Sequence, residues 1–199
     1  MQRLSPVDQL FLWLERRQQP MHVAGLQLFS YPEGAKPSYV RELAESMRQY
    51  TDPSPPFNKR VVHKFGQDFW DTDRQFDLEC HFRHEALPRP GRIRELLSFV
   101  SAEHSNLLDR QRPLWQAHLI EGLRGRRFAL YTKVHHSMVD GIAAMRLGMR
   151  ALSSDPEERD LPPVWAQPPR RRGRAAVPNP MDIASSMARL TTTASKQAA

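Results

Sequence analysis

At 199 residues and a formal net charge of +7, the chain can hold one domain with a real core, or one domain and a tail, but not two large domains. Its single cysteine, Cys80, excludes an intramolecular disulfide or a thiolate metal cluster within one chain and fits a reducing compartment. No apolar run reaches the roughly 20 residues that span a bilayer and no basic-then-apolar leader opens the chain, so the expectation is a cytoplasmic protein with peripheral membrane contact at most.

In chain order, Leu4-Ser5-Pro6-Val7-Asp8 carries helix-start chemistry: Ser5 as N-cap, Pro6 in the first turn and Asp8 three residues past the cap. The helix is predicted to run to about Arg16. Leu10, Phe11, Trp13 and Leu14 make it apolar over much of its circumference, so packing into the domain is expected, with a lipid-facing role as the alternative. Residues 21–29 read as a strand. Val40, Leu43, Ala44 and Met47 recur at helical spacing within residues 38–50, and the prolines of 53–56 end that helix. Short strands are predicted at 60–65 and 67–70 around Gly66, and a weaker one at 80–84. Residues 91–108 form the clearest helix, with Ile93, Leu96, Leu97, Val100, Leu107 and Leu108 as its buried stripe and Glu95, Glu103 and His104 as its wet face.

A hairpin follows, with strands at 115–121 and 127–134 joined by the glycine-containing segment 122–126. Its second strand delivers His135-His136-Ser137-Met138-Val139-Asp140-Gly141. Neighbouring strand residues point to opposite faces, so the two imidazoles cannot both enter one cavity; one serves chemistry and the other structure. A histidine near its ordinary pKa of about 6.5 can take a proton from a hydroxyl and return it to a leaving group. After the motif, Ile142, Met145, Met149 and Leu152 indicate a helix packed on the sheet and started by Asp140. Residues 155–199 are rich in proline and arginine and read as a linker, with a short helix at 181–190. The basic surplus lies partly in each region and favours an anionic partner: a phosphate-rich cofactor, an anionic membrane surface or nucleic acid.

Taken alone, the seven residues fit an ordinary strand-to-helix turn as well as a site. A zinc centre is disfavoured, because adjacent histidines with an aspartate four residues on do not match helical metal-ligand spacing. His22, His63, His81, His84, His104 and His118 are too dispersed in sequence to read as ligands. His22 is expected to be a packed strand histidine, and Pro113-Leu114-Trp115 a fixed turn with an aromatic anchor.

Over nearly all of the first 154 positions, the chain resembles bacterial bifunctional wax ester synthase/diacylglycerol acyltransferases, within the His-His-x-x-x-Asp-Gly superfamily of acyl-CoA-dependent acyltransferases. The resemblance rests on the motif at 135–141, Leu4-Ser5-Pro6-Val7-Asp8, the segment from Pro20 to Phe29, Pro113-Leu114-Trp115, and Lys133-Val134 leading into the motif. It implies an α/β (α+β) fold: a mixed β-sheet flanked by helices, as in one lobe of chloramphenicol acetyltransferase. Residues 1–154 would be that N-terminal lobe and 155–199 the linker to a second, C-terminal lobe. It also implies transfer of a fatty acyl group from acyl-CoA, a substrate and not a bound cofactor, to a long-chain alcohol or diacylglycerol.

By the family pattern His136 is the general base and His135 supports the site. Asp140 would be structural, holding the loop by pairing with an arginine, and Gly141 would permit the tight turn and close approach. No metal, resident cofactor or nucleic-acid partner is implied, the CoA-binding residues are not assigned, and a membrane or lipid-droplet surface is the expected location. Two other readings are a noncatalytic lobe that binds lipid surfaces and a condensation-type lobe that uses carrier-bound acyl groups.

Overall fold

The computed structural model describes residues 1–155, 158 and 161–168, and the expected helix at 181–190 lies outside them. Two sheets organise the described residues. The larger has four strands in the order β2–β7–β6–β5, where β2 is His22–Ser30, β5 Phe82–Ala86, β6 Trp115–Leu123 and β7 Arg127–His135. The hairpin β6–β7 and the pair β2–β7 are antiparallel, whereas β5 runs parallel to β6, so the sheet is mixed. The smaller sheet, β1–β4–β3, joins β3 (Lys59–Lys64) and β4 (Gln67–Thr72) to β1 (Gln2–Arg3), a two-residue strand too short to carry a periodic signal.

Among the described residues four α-helices flank these sheets: α1 (Pro6–Leu14), α2 (Tyr39–Arg48), α3 (Ile93–Ser105) and α4 (Gly141–Arg150). The start of α1 follows its sequence, since the Ser5 hydroxyl accepts from Asp8 N–H and the Asp8 carboxylate accepts from Ser5 N–H. It ends at Leu14, where Glu15 turns to extended backbone while its N–H still donates to the Phe11 carbonyl. Cys80 closes a short 3-10 turn, Leu78–Cys80, and the adjoining strand starts only at Phe82.

Strand alternation sorts the sheet into two layers. On one face Trp115, Ala117, Leu119, Phe128 and Val134 pack with Val40, Ala44 and Met47 of α2. On the other, Ile120, Ala129 and Tyr131 pack with Leu96 of α3. Trp115 anchors the first layer, as expected of Pro113-Leu114-Trp115: it is fully buried and its indole N–H donates to the Phe57 carbonyl at 2.8 Å.

Several expectations are corrected. The compact unit runs past residue 154 to Pro168, because Trp165 is fully buried and stacks on Trp115 at 5.4 Å between ring centres. On α4 the stripe Ile142, Met145, Met149 and Leu152 is exposed, and the half-buried Ala143, Ala144 and Leu147 face the core instead. On α3 only Leu96 of the predicted stripe is buried within the helix; Ile93 and Leu97 are exposed, and the end of the helix at Ser105 leaves Leu107 exposed in the following loop. On α1 Leu12 is the buried side chain, while Val7, Leu10, Trp13 and Leu14 face outward. In each case a stripe wider than the available neighbour leaves part of itself uncovered. Among the described residues no helix is long and apolar enough to cross a membrane.

Candidate active site

Strand β7 pairs with β2 as far as His135↔His22, and the next backbone bond, His136 N–H to the Met21 carbonyl at 2.9 Å, continues the ladder into the motif. His135 N–H donates to the Leu114 carbonyl on the opposite side at 2.9 Å. Pinned in this way, the two side chains diverge as strand geometry requires. The His135 ring is fully buried on the α3 side of the sheet, whereas the half-buried His136 ring lines a cleft of about 720 Å³. Phe11 of α1 stacks on the His136 ring, with centroids 4.8 Å apart and planes at 15°. Val7, Trp70, Met138 and Lys59 form other parts of the wall, so the imidazole faces a mixed, mostly bulky lining.

Asp140 is exposed and caps α4, its carboxylate accepting from Ala143 N–H at 2.7 Å. Among the described residues it forms no ion pair with an arginine, and the contact found is the helix cap. Gly141 also departs from expectation. It lies in the first turn of α4 at ordinary φ, and a Cβ there would meet nothing within 4 Å, so neither a tight turn nor close approach requires glycine. Gly141 instead borders an apolar groove of about 490 Å³ between α4 and the sheet, lined also by Val23, Leu130, Met145 and Leu152. Among the described residues no cluster of histidine, cysteine and carboxylates could hold a metal ion.

Behind the motif lies a buried polar layer that sequence spacing did not disclose. Lys133 is fully buried, and its ammonium donates to the Glu103 and Asn106 carbonyls at 2.7 and 2.9 Å, where a cation complements the carboxyl end of α3. Burial pulls its pKa below the usual lysine range. His22, buried as expected, donates through Nε2–H to the His104 carbonyl at 2.7 Å, and His104 Nδ1 meets the Tyr131 hydroxyl at 2.9 Å. His104 is exposed and Glu103 half-buried, as a wet face implies, yet their carbonyls and the His104 ring border this layer. Burial lowers the His22 pKa, and it pushes His118 down to about 4. The signal was present as period two on β7, where Tyr131, Lys133 and His135 share the face opposite Leu130, Thr132 and Val134.

Facing the same side, His135 Nδ1 accepts from Ser137 N–H at 3.0 Å, with the Ser137 hydroxyl at 2.7 Å. An accepting Nδ1 leaves the ring proton on Nε2, which lies 3.3 Å from Glu15 Oε1: close enough for attraction, though off the line of a good hydrogen bond. Burial lowers the His135 pKa, with Glu15 opposing the shift. His135 is therefore a neutral brace at neutral pH.

A mixed sheet of this order flanked by helices is the fold found in one part of condensation domains. The first condensation domain of the calcium-dependent antibiotic synthetase superposes with a TM-score of 0.58 at 15% identity, covering 75% of this chain and 35% of that one, a likeness of fold alone. The chain belongs to the wax ester synthase/diacylglycerol acyltransferase catalytic-domain family, whose sequence model matches residues 4–198. It is 50% identical over 179 residues to O-acyltransferase WSD of Acinetobacter baylyi, covering 89% of this chain and 38% of the relative. It also superposes on the wax ester synthase/diacylglycerol acyltransferase of Marinobacter aquaeolei VT8 with a TM-score of 0.80 at 56% identity, covering 98% of this chain and 46% of that one. The chain thus spans less than half the length of these relatives.

Proposed function

We propose that this chain is the amino-terminal lobe of a long-chain O-acyltransferase that moves a fatty acyl group from acyl-CoA to a long-chain alcohol or diacylglycerol. The observation that carries the reading is the His136 imidazole, fixed by its backbone and by Phe11 yet open to the cleft. An acceptor hydroxyl within hydrogen-bond reach of the ring gives up its proton as its oxygen attacks the thioester carbonyl. When the adduct collapses, the C–S bond breaks and the imidazolium proton passes to the CoA thiolate, so the ring ends as it began. No covalent acyl-enzyme is needed, which agrees with Cys80 lying outside the cleft wall.

A second lobe completes the site. Support comes from the chain's share of its relatives' length and from the apolar groove and exposed α4 stripe left uncovered beside the cleft. Peripheral contact with a lipid surface is supported by the outward face of α1, where Val7, Leu10, Trp13 and Leu14 are exposed and followed by exposed Arg16 and Arg17. Replacing Leu10 and Trp13 by serine is expected to weaken cosedimentation with anionic phospholipid vesicles by roughly tenfold or more; undiminished binding rejects this face.

The activity is tested with the chain joined to the second lobe, palmitoyl-CoA as donor, and hexadecanol, diacylglycerol or a short amine as acceptor. His136→Ala is expected to lower ester formation by about 100- to 10,000-fold while circular dichroism stays unchanged. Unaltered turnover rejects His136 as the base, and transfer only from a carrier-protein thioester favours the condensation reading.

A further inference from the structure

The buried side of the motif converges on one carboxylate. Glu15 follows α1, and its side chain is only 2% exposed. Oε1 accepts from Met21 N–H at 3.2 Å and lies 3.3 Å from His135 Nε2. Oε2 takes two contacts from the Arg110 guanidinium, Nη2 at 3.0 Å and Nε at 3.3 Å, and the same Nη2 donates to the Leu12 carbonyl at 2.6 Å. Each of these groups touches something that places His136. Met21 supplies the carbonyl that holds the His136 N–H, His135 is its chain neighbour, and Glu15 N–H bonds the carbonyl of Phe11, whose ring stacks on the His136 imidazole.

We infer that Glu15, anchored by Arg110, is a positioning residue that sets the orientation of His136 from behind the sheet. It acts through three links: the Met21 backbone, the His135 tautomer and the end of α1 that carries Phe11. Arg110 neutralises the buried carboxylate and ties it to α1, so that Glu15 can accept at Oε1 without remaining an uncompensated charge. Glutamine fits the same space but fails the same task. Arg110 offers only donors, so an amide must turn its oxygen toward the guanidinium, which places its NH2 against the Met21 and His135 N–H groups.

The inference rests on His136 as base only in its kinetic arm, so its first test is independent of turnover. In long-range imidazole NMR of the 199-residue chain, His135 is expected as the Nε2–H tautomer, with His136 ring protons shifted upfield by Phe11. Glu15→Gln should mix the His135 tautomers and remove at least half of that upfield shift. Arg110→Met, at a side chain half exposed and therefore tolerant of change, should move both signals the same way by less, and it carries the test if Glu15→Gln does not fold. Spectra unchanged in the folded variants overturn the inference.

In the two-lobed enzyme, Glu15→Gln should lower kcat up to about 100-fold, the scale of an ångström-sized misplacement, with KM for the acyl donor altered less than about twofold. Combined with His135→Asn it should cost little more than either change alone, because both break one chain of contacts. Effects that multiply, or a loss confined to KM, overturn the inference. If His136→Ala leaves turnover intact while the NMR shifts appear, the base assignment fails and the clamp stands.

Discussion

His118 provides a direct test of the buried polar layer. Its side chain is 1% exposed, packed between Phe99 and Tyr131, and neither ring nitrogen has a hydrogen-bond partner. Burial is the main reason its pKa falls to about 4; Glu103 opposes the fall, Arg83 and Lys133 add to it, and the Glu85 and Glu103 carboxylates stand 3.9 Å away. In the unfolded chain the same imidazole titrates near 6.5. Between these values the unfolded state binds more protons, so stability falls as pH drops below about 6.5 and levels off below about 4. At pH 5 the unfolded imidazole is almost fully charged and the folded one mostly neutral, and the difference relative to pH 7 is about 2 kcal/mol. His22, His81 and His135 are lowered in the same direction and deepen the loss.

Replacing His118 with leucine removes this contribution and two unpaired polar atoms together. The variant should match or exceed the parent at pH 7 and lose about 2 kcal/mol less on going to pH 5. Urea unfolding at the two pH values, followed by tryptophan fluorescence, measures both quantities. An identical pH dependence in parent and variant would refute the argument that this ring is held neutral by burial.

Three further substitutions probe the corrected boundary, the motif glycine and a contrasting glycine. Trp165→Ala removes a fully buried ring stacked on Trp115 and its N–H bond to the Tyr50 carbonyl, and should lower unfolding free energy by about 3–5 kcal/mol. A loss below about 1 kcal/mol in the same urea assay would detach residues 161–168 from the folded unit. Gly141→Ala should leave stability within about 1 kcal/mol of the parent, since φ is ordinary and the space is open. Gly91→Ala is the contrasting case, with φ of +68° and a Cβ that would sit 1.9 Å from the Gly122 carbonyl oxygen; it should cost at least about 2 kcal/mol. Equal thermal midpoints for the two variants would contradict these placements.

What could be read from the chain beforehand was mainly local. Ser5 and Asp8 encode a reciprocal cap within four residues, and Asp140 caps the helix that follows it, so both starts were legible. The β6–β7 hairpin was legible for the same reason, its connection being short and marked by glycine. Burial of long apolar stripes was not, because amphipathic spacing says which residues share a face and not what stands opposite. Met145, Met149, Trp13 and Leu10 all follow helical spacing and all face outward. Trp165 escaped notice because one aromatic residue among prolines carries no period, although its ring completes the stack on Trp115. Glu15 and Arg110 are far apart in sequence, and no spacing rule joins them; only the fold brings Nη2 within 3.0 Å of Oε2.

The placement of the motif depends on β7 doing two jobs at period two. Its residues Tyr131, Lys133 and His135 turn toward α3, where desolvated polar groups find one another, while Leu130, Thr132 and Val134 turn toward the apolar groove and lead to His136 in the cleft. Adjacent histidines are the shortest sequence that supplies one side chain to each layer. The first can then be bonded at Nδ1 by Ser137 and face the Glu15 carboxylate at Nε2, while the second keeps its ring open to the cleft. A slip of one residue in the β2–β7 register would exchange the layers, placing an apolar side chain against Glu15 and an imidazole under α4. The pairing of His22 with His135 and of Val23 with Val134 is therefore as much a part of the site as the ring at 136.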